Sequence, residues 1–326
     1  MSSTLSDYDY DLPGELIARR PLVRREDSRM MVLRRDLGTV EHRQFRELSA
    51  FLHPEDLLVL NDTRVLPARK FSNDGSIEFL FLEKIGPARW KCLVKPGRKM
   101  RVGASTKIDA SILLVEEITL DGERVVSLDT DVDLYASGSM PLPPYIGRES
   151  DLEDASRYQT VFAQTPGALA APTAGLHFTP EILANIPHAL VTLHVGTGTF
   201  FPVRNDDVTE HRMHSEQFAI SPSAAAKIDS ARRLIAVGTT VVRVLESARW
   251  EDGKLVAQNG STNIFIYPPY RFRHVDLLFT NFHLPRSTLL MLASAFAGRE
   301  FLLKAYAEAI RERYRFYSYG DCMLIL

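Results

Sequence analysis

Residues 191–200 read Val-Thr-Leu-His-Val-Gly-Thr-Gly-Thr-Phe, and residues 169–180 read Leu-Ala-Ala-Pro-Thr-Ala-Gly-Leu-His-Phe-Thr-Pro. Each segment is an apolar stretch that runs into a loop of Gly, Thr and His. Val191–Val195 predicts a strand, and the glycines after it allow the backbone to approach a ligand closely. In the upstream segment Thr179 and Pro180 suit the N-cap and first position of a helix. The two loops therefore predict the floor of a pocket in an α/β fold.

The same alternation of strands and helices continues on both sides of this stretch. Short apolar strands are predicted before it and after it, and amphipathic segments such as His42–Leu52 predict helices. This layout predicts an α/β main domain with a mixed or parallel sheet, made of residues 1–66 and 146–326. The strands predicted outside the quoted stretch are Met30–Leu33, Leu57–Leu60, Leu234–Val237, Asn263–Tyr267 and Asp276–Phe279.

Residues 67–145 have a different pattern of predicted secondary structure. Five short strand candidates follow one another there, separated by Gly, Pro and Asp, with no helical pattern between them. This spacing predicts a small antiparallel β-barrel domain inserted into the main domain. Its Lys95–Arg101 loop carries four basic residues, whereas Glu116–Asp133 carries seven acidic residues and one Arg. These segments are either two ordinary solvated faces or, in the case of the basic loop, a phosphate-contacting loop.

Composition places the chain among ordinary globular proteins. It has 326 residues, 45% of them hydrophobic and 25% charged, with a formal net charge of −2. A nucleic acid would therefore have to bind a local patch. Cys92 and Cys322 suit buried thiols of a reducing compartment. The acidic start of the chain and the short apolar run Leu289–Ala297 predict a cytoplasmic protein with neither a signal peptide nor a membrane span.

Polar loops after several predicted strands supply candidate ligand-binding residues. Asn61-Asp62-Thr63-Arg64 follows a buried strand, which is a usual place for ligand contacts, although a simple turn with an Asx hydrogen bond is equally compatible. Gly238-Thr239-Thr240 leads into a helix that carries Arg243 and Glu246, which could also pair with each other. Thr280–Thr288, with Asn281, Phe282 and His283, repeats the pattern. Several such loops favour convergence on one site.

Residues 211–216, His-Arg-Met-His-Ser-Glu, form the densest ionisable cluster. A metal site completed by His177, His194 or His283 is one interpretation. Paired polar or core histidines are the more common explanation of such a cluster. The third interpretation, an acid/base pair with a His oriented by Glu216, is intermediate in frequency and needs no metal. Near the C-terminus, Arg311–Asp321 interleaves cations with aromatics, which suits either base stacking or a sealed core.

Taken together, these residues resemble one family, the S-adenosylmethionine:tRNA ribosyltransferase-isomerases of queuosine biosynthesis. The resemblance covers nearly the whole chain, and only the segment Arg69–Gly75 is shorter than expected. The matching segments are residues 9–13, 61–64, 141–145, 158–163, 170–179, 192–200, 211–216, 236–246, 280–288 and 314–321.

The resemblance implies an enzyme that moves the ribosyl part of S-adenosylmethionine onto the aminomethyl-deazaguanine (preQ1) base at the tRNA wobble position. Adenine and methionine leave, and the sugar is isomerised, which gives epoxyqueuosine-tRNA. It implies a main domain with an inserted barrel, tRNA as partner, and no cofactor or metal beyond the S-adenosylmethionine that is consumed. We further expect a monomer that binds no membrane.

The chemistry needs a base to remove a proton beside the sulfonium and a group that protonates the departing adenine. We hypothesise that both are among His177, His194, His211, His214 and His283, with Glu216 orienting one. A metal-dependent hydrolase and a non-catalytic RNA-binding module are the rival classes. The expected substrate-binding residues are Asn61, Asp62, Thr63, Arg64, Thr173, Gly175, Gly196, Thr197, Gly198, Thr199, Phe200, Gly238, Thr239, Thr240, Arg243, Glu246, Asn281 and Phe282.

Overall fold

The computed structural model describes residues 4–196, 198, 203 and 205–326 of the chain. The chain divides into two units. The first unit comprises Met1–Arg64, Pro143–Arg148 and Arg157–Leu326, and the second comprises Val65–Leu142 and Glu149–Ser156. The expected ligand residues Thr197, Thr199 and Phe200 lie outside the described residues.

A large mixed sheet, with nine strands among the described residues, forms the first unit. The strands in spatial order are β17 (Gln258–Thr262), β13 (Glu216–Ile220), β12 (His188–Leu193), β3 (Asp56–Asn61), β14 (Arg233–Val237), β18 (Leu277–Asn281), β19 (Cys322–Ile325), β1 (Arg29–Arg34) and β2 (Thr39–Gln44). The four strands β12, β3, β14 and β18 run parallel to one another. Every residue of β3 is buried, as expected for a strand covered on both faces.

Helices connect the strands of this sheet. Ser221 caps α3, its Oγ accepting from the amide of Ala224 at 3.1 Å, and Ser287 caps α5 through the amide of Leu290 at 3.2 Å. The α-helices described in the chain are α1 (Leu152–Arg157), α2 (Pro180–Leu183), α3 (Pro222–Ser230), α4 (Thr239–Ser247), α5 (Thr288–Ala297) and α6 (Arg299–Arg311). No helix in the described part of the chain is long and apolar enough to cross a bilayer.

Two of the local predictions for this unit are wrong. The helix expected over His42–Leu52 is instead the end of β2 followed by a 3-10 helix over Phe45–Phe51, which Gln44 and Glu47 close with a capping box. The strand expected over Asn263–Tyr267 is irregular, and the strand of this region is β17, which ends just before it. For the first segment, pairing of His42–Gln44 with β1 overrides the helical pattern.

The second unit is built on a curled antiparallel sheet. The described edge strands β5 and β8 do not form a ladder with each other. A single backbone hydrogen bond links the two edges, from the Asn73 amide, just after β5, to the Lys107 carbonyl of β8 at 2.9 Å. Trp90, Phe79 and Phe81 are fully buried in the core of this unit. The strands in spatial order are β5 (Arg69–Phe71), β6 (Glu78–Gly86), β7 (Arg89–Lys95), β10 (Arg124–Leu128), β9 (Ser111–Ile118) and β8 (Ser105–Ile108).

The remaining described strands form two small ladders. They are β4 (Thr63–Val65) with β11 (Thr165–Ala168), and β15 (Trp250–Glu251) with β16 (Lys254–Leu255).

Three phenylalanines join the main sheet to the elements packed on it. Phe279 of β18 lies with its ring centroid 5.5 Å from that of Phe45 and 5.7 Å from that of Phe178. All three side chains are fully buried, so they define the core beneath the carboxyl ends of the parallel strands.

We expect Phe279→Ala to lower the free energy of unfolding by about 3–5 kcal/mol, because it removes a ring from this core and leaves a cavity. Urea denaturation measures the loss. Val23→Ala, at a position that is 92% exposed, is the matched control and should change stability by less than about 0.5 kcal/mol. Equal losses in the two variants would contradict the packing assigned to Phe279.

Candidate functional site

The carboxyl ends of four parallel strands place the candidate site. β12, β3, β14 and β18 end at Leu193, Asn61, Val237 and Asn281, and parallel alignment brings these ends to one edge of the sheet. β13 runs antiparallel to β12 and therefore begins at the same edge, with Glu216. Open α/β sheets bind ligands at such an edge.

A cavity of about 370 Å³ opens at this edge within the first unit. Nine of the expected site residues line it, namely Thr173, Gly198, Gly238, Thr239, Thr240, Arg243, Asn281, Phe282 and His283. Lining residues that the sequence analysis did not select include Tyr145, Tyr158, Arg286, Ser287, Thr288, Tyr317 and Ser318. Their sequence signal was their position inside the matching segments 141–145, 158–163, 280–288 and 314–321.

His283 is the histidine that lines the cavity. Its Nε2 lies 2.9 Å from Thr280 Oγ1, and its amide donates to the Tyr306 hydroxyl oxygen at 2.9 Å. The Tyr10 hydroxyl donates to its carbonyl. Nδ1 forms no hydrogen bond with the described residues. Burial lowers the pKa of His283 to about 3, so the ring is neutral near pH 7 and holds one proton that either nitrogen can carry.

His177 does not line this cavity, but it contacts a residue that does. Its Nδ1 lies 2.7 Å from Ser28 Oγ and its Nε2 lies 3.2 Å from Asn281 Oδ1. Asn281 Nδ2 donates to the Tyr317 carbonyl at 2.9 Å, which identifies Oδ1 as the acceptor. Nε2 of His177 therefore carries the proton, and Nδ1 accepts from the Ser28 hydroxyl. Burial lowers the pKa of His177 to about 4, so this neutral ring orients Asn281.

Glu216 and Arg243 form a buried ion pair at the same edge, with side chains 5% and 3% exposed. The second carboxylate oxygen of Glu216 accepts from the Gly196 amide at 3.0 Å. Arg243 thus pairs with Glu216 and not with Glu246. Glu246 instead accepts from the amides of Arg273 and His274, so it anchors the loop before β18. The pairing of Arg243 with Glu246 that the i,i+3 spacing allows is therefore wrong.

The first turn of α4 faces the cavity. Gly238, which precedes the helix, has a φ of +92°, a conformation that suits glycine, and its amide donates to the Phe279 carbonyl at 2.7 Å. Thr240 is buried, and its Oγ1 has no hydrogen-bond partner among the described residues. The first amides of a helix lack intrahelical partners and carry the positive end of its dipole. This end of the cavity is therefore suited to an anionic group.

Asn61 and Asp62 make their hydrogen bonds inside the fold. Asn61 Oδ1 accepts from the amides of Thr63 and Leu193, and its Nδ2 donates to the Leu193 carbonyl at 2.9 Å. Asp62 Oδ1 accepts from the Thr192 hydroxyl at 2.6 Å. Arg64 is exposed, and none of the four lines the cavity. The turn with an Asx hydrogen bond is thus the alternative that the structure supports, and it clamps β3 to β12.

The other expected histidines lie outside the lining of the cavity. His194 Nδ1 is 2.8 Å from Thr63 Oγ1, and His211 packs edge-on against Phe265 with ring centroids 5.2 Å apart. His214 is exposed and lies beside Gly198, where a Cβ would come within 3.1 Å of its ring. The structure therefore does not bring all five imidazoles to one cavity.

Gly175 also does not line the cavity. It is a packing position, because a Cβ there would lie 2.8 Å from Phe162 and from Thr160. The described part of the chain contains no cluster of three His, Cys, Asp or Glu side chains arranged to hold a metal ion.

Tyrosines form one wall of the cavity. Tyr145 Oη lies 2.6 Å from Ser318 Oγ, and its ring centroid is 4.8 Å from that of Tyr317. Tyr314 and Phe316 are fully buried, and Tyr317 and Tyr319 are 5% exposed. The aromatics of Arg311–Asp321 therefore seal the core, and Tyr317 also lines the cavity, so the sealed-core interpretation is the one that the structure supports for these buried rings.

Comparison with known proteins gives consistent matches. The family described as queuosine biosynthesis protein matches residues 5–325. An S-adenosylmethionine:tRNA ribosyltransferase-isomerase from Symbiobacterium thermophilum is 50% identical, covering 99% of each chain, and one from Heliobacterium modesticaldum is 51% identical, covering 98% of each. A crystal structure of the S-adenosylmethionine tRNA ribosyltransferase from Thermotoga maritima matches with a TM-score of 0.57 and 39% identity, over 98% of this chain and all of that one.

We expect Arg243→Met to lower the free energy of unfolding by about 3–5 kcal/mol, because it leaves the Glu216 charge buried without its partner. The double variant Glu216→Leu/Arg243→Met removes both charges and should recover most of that loss. Urea denaturation of the two variants measures this difference. A double variant less stable than Arg243→Met would contradict this expectation and would show that Glu216 stabilises the fold without Arg243, through its hydrogen bond with the Gly196 amide.

The buried histidines make stability depend on pH. Because the folded-state pKa values of His177 and His283 are lowered to about 4 and about 3, the folded protein resists protonation that the unfolded chain accepts below about 6.5. The stabilisation that the two neutral histidines give to the folded state is complete above that pH and is lost as the pH falls. We expect His283→Gln to reduce the slope of unfolding free energy against pH between 6.5 and 4 by about 1 kcal/mol per unit. Parallel curves for the variant and the parent would contradict this.

Proposed function

The chain belongs to the queuosine biosynthesis protein family, and we propose that it carries the activity for which its full-length relatives are named, S-adenosylmethionine:tRNA ribosyltransferase-isomerase. It transfers and isomerises the ribosyl moiety of S-adenosylmethionine onto the preQ1 base at the tRNA wobble position. The products are epoxyqueuosine-tRNA, adenine and methionine. Identity of about half over nearly the whole of both chains is the observation that supports this assignment.

The cavity at the carboxyl edge of the parallel strands is the proposed nucleoside site. Its volume of about 370 Å³ is in the range of small-molecule pockets. Phe282, Tyr145, Tyr158 and Tyr317 line it, and aromatic rings attract a sulfonium by about 1 kcal/mol each. The methionine carboxylate fits the first turn of α4, where helix amides and Thr240 are available beside Arg243.

We assign the proton transfers first to His283. A proton on the sugar carbon beside a sulfonium is acidified, and a neutral imidazole accepts it without first losing one of its own. The Thr280 hydroxyl is hydrogen-bonded to Nε2 of His283, which leaves Nδ1 as the nitrogen that faces the substrate. His177 serves as a positioning residue through Asn281. His214 remains a second candidate because it lies against Gly198, which lines the cavity.

Several further assignments belong to this proposal. S-adenosylmethionine is consumed as a substrate, and no metal or other cofactor is required. The enzyme acts as a monomer in the cytoplasm, apart from membranes. The inserted β-barrel domain expected over residues 67–145 corresponds to the second unit, and the catalytic domain expected over residues 1–66 and 146–326 corresponds to the first unit, which also includes Pro143–Arg148.

Free adenine is the most direct readout of the proposed reaction. The purified chain, incubated with S-adenosylmethionine and tRNA carrying preQ1, should release adenine and methionine in step with loss of the precursor base, and excess chelator should not slow it. A metal-dependent hydrolase would lose its activity with chelator. A non-catalytic RNA-binding module would bind the tRNA and release no adenine, and that result would overturn the proposal.

Alanine variants test the assignment of His283. We expect His283→Ala to lower kcat by about 10²–10⁴-fold at saturating substrates, the usual contribution of a general acid or base. The control is His188→Ala, at the opposite end of β12, which should stay within about twofold of the parent. His177→Ala should act through Asn281, so we expect it to raise the KM for S-adenosylmethionine in addition to lowering kcat. A near-normal rate for His283→Ala, with a reduced rate for His214→Ala, would move the role to His214.

A further inference from the structure

The turn from Lys95 to Arg101, here called the basic turn, connects β7 to β8 in the second unit. Its four basic residues, Lys95, Arg98, Lys99 and Arg101, are all exposed. None of them forms an ion pair with a described acid. Four other cations of the same unit do pair with acids: Arg69 with Glu78, Lys70 with Asp109, Lys84 with Asp131 and Arg89 with Glu116. The basic turn therefore differs from the paired cations around it.

The fold holds this turn in one shape. The Arg124 guanidinium donates to the carbonyls of Gly97 and Met100 at 3.0 Å and 3.3 Å, and to the carbonyl of Gly122. Met100 is 1% exposed and belongs to the core of the unit. A rigid turn loses less conformational entropy on binding than a flexible one would.

The surrounding charge makes this turn a local feature. The chain has a formal net charge of −2, and the segment Glu116–Asp133 of the same unit carries seven acids against one Arg. A general attraction to polyanions is therefore absent, and a binding surface for nucleic acid has to be a confined group of cations. The basic turn is such a group. It offers exposed cations that contact no aromatic ring among the described residues, which suits phosphates and not bases.

We propose that the basic turn binds the phosphate backbone of the tRNA substrate. This inference rests on the proposed function, which makes a tRNA the partner. Phosphate contacts position a nucleic acid and add affinity without reading its sequence. The turn thus contributes to tRNA binding and leaves the chemistry at the cavity unchanged.

Lys95, Arg98 and Arg101 are the residues to vary. Lys99 is set aside because its charge acts on Asp74 and its Nζ lies 3.5 Å from the Ser76 carbonyl. The test variant is Lys95→Glu/Arg98→Glu/Arg101→Glu. The matched control is Arg46→Glu/Lys254→Glu/Lys304→Glu, which changes the net charge equally at three scattered exposed positions. Thermal unfolding verifies that both variants remain folded.

Steady-state kinetics with preQ1-tRNA and direct tRNA binding at several salt concentrations are the measurements. We expect the basic-turn variant to raise the Kd and the KM for tRNA by about tenfold or more. We also expect the slope of log K against log salt to become shallower by roughly 2–3 units, about one for each phosphate that the variant no longer neutralises. The KM for S-adenosylmethionine and the kcat at saturating tRNA should stay within about twofold of the parent.

The outcomes separate this inference from the proposed function. If the parent protein releases adenine and the basic-turn variant binds tRNA as well as the control variant does, the basic turn is a solvated surface and the inference is wrong. If the parent releases no adenine, the proposed function fails, and the direct binding measurement alone decides whether the turn holds tRNA. An equal decrease of affinity in both variants would show that net charge, and not this turn, attracts the tRNA.

Discussion

The parallel alignment of β12, β3, β14 and β18 is the constraint on which the site depends. It places the ends of four strands, which are far apart in sequence, at one edge, and the loops that follow can then share a cavity. Asn61 stabilises the alignment of β3 with β12. Its side chain accepts a hydrogen bond from the Leu193 amide and donates one to the Leu193 carbonyl. A buried amide whose oxygen and nitrogen are both hydrogen-bonded in this way joins β3 to β12 just before the loops begin.

Around the cavity, buried polar groups are held by partners that do not themselves line it. Ser28 and His177 orient Asn281, and Glu216 holds Arg243 while it also accepts from the Gly196 amide. Leaving any one of these groups without its partner would cost more than the bond contributes, so each network has a single low-energy arrangement. Such an arrangement keeps the cavity walls in place before a substrate arrives, which reduces reorganisation during the reaction.

The two units use charge in different ways. In the first unit Glu216, Arg243, His177 and His283 are buried near the cavity, and burial keeps the two histidines neutral by lowering their pKa values. In the second unit the basic turn keeps its charges exposed on a rigid frame, and none of them pairs with an acid in the described part of the chain. A neutral imidazole keeps a lone pair that can accept a proton, whereas exposed cations suit long-range attraction to a polyanion.

The amino-acid sequence alone determined the alternation of strands and helices, the polar loops after Phe279 and Val237, and the family, because apolar periodicity and glycine positions are local properties of the chain. It also placed Asn281, Phe282, His283 and Thr240 among the candidates, and all four line the cavity. Only the tertiary structure decided which histidine reaches the cavity, that Arg243 pairs with Glu216 and not with Glu246, and that Tyr145 and Tyr317 form a wall. The reason is physical: these outcomes depend on strand order and on which groups find buried partners, and both are set by residues on different elements of the chain. Arg243 and Glu216 are 27 positions apart, and His177 is more than a hundred positions from Ser28 and from Asn281.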